Sequence, residues 1–61
     1  MMKFTTCKNS RSEKIINDII KTEDLEVKVR YFVNGLGDSM IEVKGEREDI
    51  ETLRRIYLMV K

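Results

Sequence analysis

The sequence predicts an α+β domain in which two helices cover one face of a three-stranded antiparallel sheet, in the order β-α-β-β-α. Residues 25–33 alternate between apolar and polar side chains, as a strand with one buried face does. Isoleucines between residues 15 and 20 recur at helical spacing, and residues 46–61 form a second amphipathic pattern. The 61 residues suffice for one small domain, residues 1–61.

The first strand and the first helix are predicted in residues 1–24. Residues 1–6 alternate, with Met2 and Phe4 on the apolar side of a short strand. Ser10 and Glu13 match a capping box, in which the serine oxygen accepts a free helix amide and the glutamate reaches back. A helix therefore begins at Ser10, and residues 22–24 end it. Its single apolar face consists of Ile15, Ile16, Ile19 and Ile20.

Residues 25–44 predict a hairpin of two strands. The inward face of the first strand consists of Leu25, Val27, Val29, Tyr31 and Val33. The turn Asn34-Gly-Leu-Gly-Asp38 contains residue types that tolerate positive φ. Residues 40–44 return as a second strand with Ile41 and Val43 inward, and Gly45 breaks it.

The closing helix, residues 46–61, has more apolar surface than a small monomer needs. Acidic residues occupy its first turn, where the helix dipole favours negative charge, and Lys61 lies at the end that favours cations. A predicted core stripe is formed by Ile50, Leu53, Tyr57 and Val60. The apolar arc is widened by Ile56, Leu58 and Met59. This surplus indicates a protein partner.

The order of elements favours one topology. A right-handed crossover through the first helix places the third strand between the other two, in the order 1-3-2. The arrangement resembles a ferredoxin-like fold that stops before its fourth strand. The first strand is then an unpaired edge, and such edges tend to be covered or paired. This is a second indication of a dimer.

Composition excludes several classes of function. Twelve basic and eleven acidic residues give a net charge of +1, which provides no general attraction for nucleic acid. The single Cys7 cannot form an internal disulfide, and no histidine is present as a general base or metal ligand. No signal peptide and no apolar run long enough to cross a bilayer is recognisable. We therefore expect a cytoplasmic protein that is not an enzyme, has no cofactor and no metal, and does not bind a membrane.

A nucleic-acid-binding function is one alternative. Lys28, Arg30, Phe32 and Lys44 share the outward sheet face, which could stack and neutralise single-stranded RNA. Glu26 and Glu42 lie on the same face and repel phosphate, so cross-strand ion pairing explains the alternation more simply.

A degenerate metal-binding module is the other alternative. The segment Cys7-Lys-Asn-Ser10 lies between a strand and a helix, where heavy-metal-associated domains carry paired cysteines. Ser10 stands where the second thiolate is needed, so the site is incomplete. Cys7 is more simply a small, partly buried apolar residue.

Residues 40–54 resemble a further family. The segment Met40-Ile-Glu-Val-Lys-Gly-Glu-Arg-Glu-Asp49, followed by Ile50-Glu-Thr-Leu-Arg54, looks like the small dimerising subunit of the KEOPS complex, and residues 12–24 are similar to that family's first helix. The matching positions are Asp49, Leu53 and Arg54. The resemblance implies a non-catalytic scaffold that dimerises and docks on the kinase-like subunit of a machine that makes threonylcarbamoyl-adenosine on tRNA. The apolar residues 56–60 depart from the family pattern.

We therefore predict a scaffold or dimerisation subunit that contacts nucleic acid only indirectly. Its partner is a protein, in a homodimer or a heterodimer. The predicted partner-contact residues are Phe32, Met40, Arg54, Ile56, Leu58 and Met59. Phe32 and Met40 are apolar exceptions on the outward sheet face, and the others lie on the closing helix.

Overall fold

A computed structural model describes residues 1–60, and Lys61 with its predicted role at the helix end lies outside them. The elements are β1 (Met2–Cys7), α1 (Ser10–Thr22), β2 (Val27–Val33), β3 (Ser39–Gly45) and α2 (Arg47–Val60). The sheet order is β1-β3-β2, and both pairings are antiparallel. The predicted fold class, element order and strand order are confirmed. The arrangement is of the ferredoxin-like type.

The start of α1 is capped by Asn9, one residue earlier than predicted. Asn9 has an extended backbone, and its side-chain Oδ1 accepts the N–H of Ser12 at 2.9 Å. This bond satisfies one of the amides that a helix leaves free at its start. The capping box predicted for Ser10 and Glu13 is therefore wrong, because the amide side chain of Asn9 already supplies the cap.

The end of α1 determines where β2 begins. Asp24 adopts a left-handed backbone with φ of 52°, the conformation usual just after a helix. The N–H of Leu25 then donates to the carbonyl of Ile20 at 3.0 Å. Leu25 thus completes the helix end, and the strand starts at Val27 instead of the predicted residue 25.

The turn between β2 and β3 is held by Asn34. Its Oδ1 accepts the N–H groups of Leu36 and Asp38 at 2.9 and 3.0 Å, and its own N–H donates to the Asp38 carbonyl at 3.0 Å. Gly37 is the turn residue with positive φ, at 85°. The predicted hairpin is confirmed.

The hydrophobic core lies between the two helices and the sheet. Its buried members are Ile16, Ile19, Ile41, Val43, Ile50, Leu53 and Tyr57. Val60 was predicted to belong to this core but is exposed. Tyr57, one turn earlier, belongs to the core cluster, whereas Val60 is not among the residues that pack against it.

Tyr57 ties both helices to β1. Its hydroxyl lies 3.1 Å from Ser12 Oγ and 3.2 Å from Thr6 Oγ1. Its ring meets that of Phe4 edge to face, with centroids 5.3 Å apart. No buried side-chain polar atom of residues 1–60 lacks a hydrogen-bond partner. The polar groups in this core therefore carry little desolvation penalty.

Gly45 is the last residue of β3, where the sequence predicted a break. It pairs with Met2 on one side and Val27 on the other. A Cβ atom here would lie 2.9 Å from Val27 Cγ1 and 3.1 Å from the carbonyl oxygen of Glu26. Glycine is required because the neighbouring strand approaches too closely for a side chain.

Candidate interaction surfaces

The six predicted contact residues fall on two different sides of the molecule. Phe32 and Met40 are paired neighbours on the sheet face opposite the helices, which we call the open face, and both are half-buried. The others belong to α2, on the helix side. The fold therefore does not bring the six residues together in one surface.

The contact residues predicted on α2 point in different directions. Ile56 is half-buried against the core and borders a shallow groove with Ile19 of α1. Leu58 is two residues further on, so it lies on the opposite flank of the helix, on the same flank as the exposed Arg54. Of the positions that carry the family resemblance, Leu53 is fully buried and is explained by core packing, whereas Arg54 is free to meet a partner.

The end of α2 exposes three consecutive apolar residues, which we call the α2 tail. They are Leu58, Met59 and Val60, with 58%, 81% and 53% of their surface exposed. Consecutive helical residues cannot share one narrow face, so the tail presents apolar surface around most of the helix circumference. Exposed apolar surface of this kind is typical of a binding site.

A second apolar surface lies on β2 and was not predicted. Val29, Tyr31 and Val33, which we call the β2 row, are 36%, 48% and 65% exposed. The sequence correctly placed them on the helix side of the sheet, but their predicted burial is wrong. The signal for this surface was the predicted strand order, since 1-3-2 makes the second strand an edge.

The packing of the helices explains why the β2 row is uncovered. α2 packs against β1 and β3, and α1 packs mainly against α2. The helix-side residues of β1, Met2, Phe4 and Thr6, are consequently half-buried. The β2 row lies beyond this cover, at the edge of the sheet, whereas Val27 at the start of β2 still packs against the core.

Tyr31 is the member of the β2 row that makes polar contacts with α1 and with Lys8 in the loop before it. Its hydroxyl donates to Glu13 Oε1 at 3.3 Å, and the Lys8 ammonium lies 5.5 Å from the ring centroid. Partial burial, followed by the nearby Glu13 carboxylate, raises the pKa of the Tyr31 hydroxyl above its usual 10.0. Tyr31 is therefore neutral across the physiological range and keeps its donor proton.

The open face is basic and contains the predicted cross-strand ion pairing. Glu42 accepts from Arg30 Nε at 3.0 Å and lies 3.9 Å from Lys3 Nζ. Lys44 lies between Lys3 and Lys28 in the strand register. The ion pairs formed by residues 1–60 leave Lys28 and Lys44 without an acidic partner. Three lysines thus stand directly side by side, an arrangement that costs stability through repulsion.

Cys7 is exposed and has a free thiol. Its predicted partial burial is wrong, because it lies on the open face, which neither helix covers. Within the described part of the chain, no group of three or more histidine, cysteine or acidic residues could hold a metal ion.

Comparison of the chain with models of protein families, with curated proteins and with solved structures finds no match. Neither helix in residues 1–60 has the length and apolar character needed to span a bilayer. Assignment of a function therefore depends on the surfaces described above.

Proposed function

We propose that this protein is a non-catalytic, cytoplasmic scaffold that acts by binding other proteins. The observation that carries the proposal is the α2 tail, in which consecutive large apolar side chains stand exposed beyond the core. Burying this surface against a partner removes apolar area from water, which is the main favourable term in protein association.

The partner suggested by the sequence resemblance is the kinase-like subunit of a tRNA threonylcarbamoyl-adenosine assembly. Arg54 lies one turn before Leu58 on the same flank of α2, so a charged group and an apolar anchor can engage the partner together. Arginine with a large apolar side chain is a common combination at the centre of protein interfaces. The scaffold then catalyses no reaction itself and acts by holding a catalytic partner in a fixed position.

The test is a calorimetric titration with the kinase-like subunit of such an assembly from the same genome. Replacing Leu58 and Met59 by lysine should weaken binding about tenfold or more, because two exposed anchors become charged. Leu36→Lys is the matched control, since Leu36 is also an exposed apolar residue, at 89%, but lies in the hairpin turn. The absence of binding by the unmodified chain contradicts the proposed partner, and equal binding by the double variant contradicts the role of the α2 tail.

A second candidate function is single-stranded RNA binding by the open face. It is favoured by the lysine row, because phosphate groups would relieve the repulsion among Lys3, Lys44 and Lys28. Phe32 supplies a ring on the same face, although the Arg30 guanidinium lies 5.1 Å from its centroid. Three phosphate contacts predict that the logarithm of affinity falls with a slope of about −2 against the logarithm of salt concentration. Binding that is absent or independent of salt removes this candidate.

A further inference from the structure

The outer edge of β2 combines exposed apolar side chains with unpaired backbone groups. The N–H of Asn34 donates to the carbonyl of Asp38, which continues the β2–β3 ladder. Because antiparallel pairs alternate, the even-numbered residues of β2 direct their N–H and C=O groups toward β3. The odd-numbered residues direct theirs away from the sheet. The β2 row (Val29, Tyr31, Val33) therefore offers both outward hydrogen-bonding groups and apolar side chains.

We propose that β2 pairs antiparallel with β2 of a second copy of this chain, about a two-fold axis that passes through Tyr31. A self-complementary strand edge allows one surface to serve both partners, as two-fold symmetric dimers require. Backbone hydrogen bonds between the edges would join the sheets of the two copies into one. This inference rests on the proposed protein-binding function and names the partner at one surface.

The charges on β2 disfavour two of the possible registers. Centring the axis on Arg30 would align all of β2 but would place the two Arg30 side chains directly opposite each other. Centring it on Val29 would place Lys28 opposite Arg30 of the second copy. Like charges in such positions are destabilising. Centring it on Tyr31 avoids both conflicts and still pairs residues 29–33 with one another.

The Tyr31-centred register is also complementary on both faces of the sheet. On the helix side, Val29 meets Val33 of the second copy and the two Tyr31 rings are neighbours, so the β2 row is buried. On the open face, Arg30 stands opposite Phe32 of the second copy. Within one chain the same two side chains already lie in cation–π contact, which the second copy can extend across the axis.

Sedimentation equilibrium tests the interface. Val29→Pro removes an outward N–H but leaves the β2–β3 ladder intact, as proline is tolerated on the free side of an edge strand. It should abolish self-association while the circular dichroism spectrum is unchanged. The matched control is Leu58→Lys with Met59→Lys, which should self-associate as the unmodified chain does. A monomeric unmodified chain overturns the inference, and so does a control variant that alone loses self-association.

Disulfide trapping tests the register and does not depend on the proline variant folding. In a Cys7→Ser background, Arg30→Cys and Phe32→Cys are oxidised separately and as a mixture. Arg30 and Phe32 of the second copy form a non-hydrogen-bonded pair, in which Cβ atoms lie close enough for a disulfide. The inference predicts a linked dimer in the mixture and none in either variant alone. Linkage of Arg30→Cys with itself, or no linkage in any sample, overturns it. The partner titration with the α2 tail is independent of both outcomes, so the scaffold proposal and the dimer can fail separately.

Discussion

The two edge strands of the sheet have similar alternating sequences but differ in how they are covered. The helix-side residues of β1 lie beneath α2, and the edge-to-face contact of Phe4 with Tyr57 fixes them there. The β2 row (Val29, Tyr31 and Val33) extends beyond the helices and keeps between a third and two thirds of its surface exposed. The apolar side chains of the β1 edge therefore belong to the core, whereas those of the β2 row are available to a partner.

The difference between β1 and β2 shows which structural property an alternating sequence predicts and which it does not. Alternation determines which side chains share a face of a strand. Whether that face is buried depends on where the helices lie, and this follows from packing between elements distant in sequence. β2 has the most regular alternation in the chain, yet it contributes no fully buried residue.

Leu53→Ala should have the largest effect, because Leu53 on α2 is fully buried in the core. A loss of about 2–5 kcal/mol is expected from the missing side chain and the cavity it leaves. A chain of this length has about 3–9 kcal/mol of stability in total, so the variant is close to unfolding. Urea denaturation followed by circular dichroism measures the change. Met59→Ala on the exposed side of α2 is the control, and equal losses in both variants would contradict the assigned packing.

The two tyrosines compare the covered edge with the uncovered edge directly. Tyr57→Phe should cost about 1–3 kcal/mol, because it removes a hydroxyl shared with the buried Ser12 and with Thr6 of β1. Tyr31→Phe removes only an exposed bond to Glu13 and should cost less than about 1 kcal/mol. Chemical denaturation of both variants gives the difference. A larger loss for Tyr31→Phe would mean that the helix cover lies over β2 instead.

Much of the fold was predictable because its elements are marked by local chemistry. The apolar face of α1, the alternation in β2 and the turn at Asn34 can each be recognised from residues close together in the sequence. All three were predicted. The boundary errors arose where two local signals compete. Asn9 and Ser10 are both good caps, and Leu25 continues the strand pattern although its amide closes α1.

The candidate surfaces were harder to predict because exposure is a property of the assembled fold. Leu58 and Met59 were recognised as surplus since the helix could not bury every apolar residue. Val60 was assigned to the core because its spacing continues that of Tyr57, but in the assembled fold it is exposed and does not pack against the core. The β2 row required knowledge of which strand the helices leave uncovered.

Val33→Thr should have the smallest effect on stability, less than about 0.5 kcal/mol, because most of the Val33 side chain is already exposed. The substitution keeps the β-branched shape and adds a hydroxyl that water can solvate in the monomer. Denaturation at low protein concentration measures the monomer alone. A loss above about 1 kcal/mol would place Val33 in the core, contrary to its exposure.

Hydrogen exchange at the two sheet edges compares them without any substitution. The N–H of Lys8 donates to the carbonyl of Ser39, so the even-numbered residues of β1 face β3 and the odd-numbered ones face outward. The outward amides are therefore those of Lys3, Thr5 and Cys7 on β1. On β2 they are those of Val29, Tyr31 and Val33. Their exchange rates are measured by nuclear magnetic resonance at low and high protein concentration. The proposed dimer predicts that the β2 amides become protected as concentration rises while the β1 amides do not. Protection of the β1 amides instead, or no change at either edge, would contradict it.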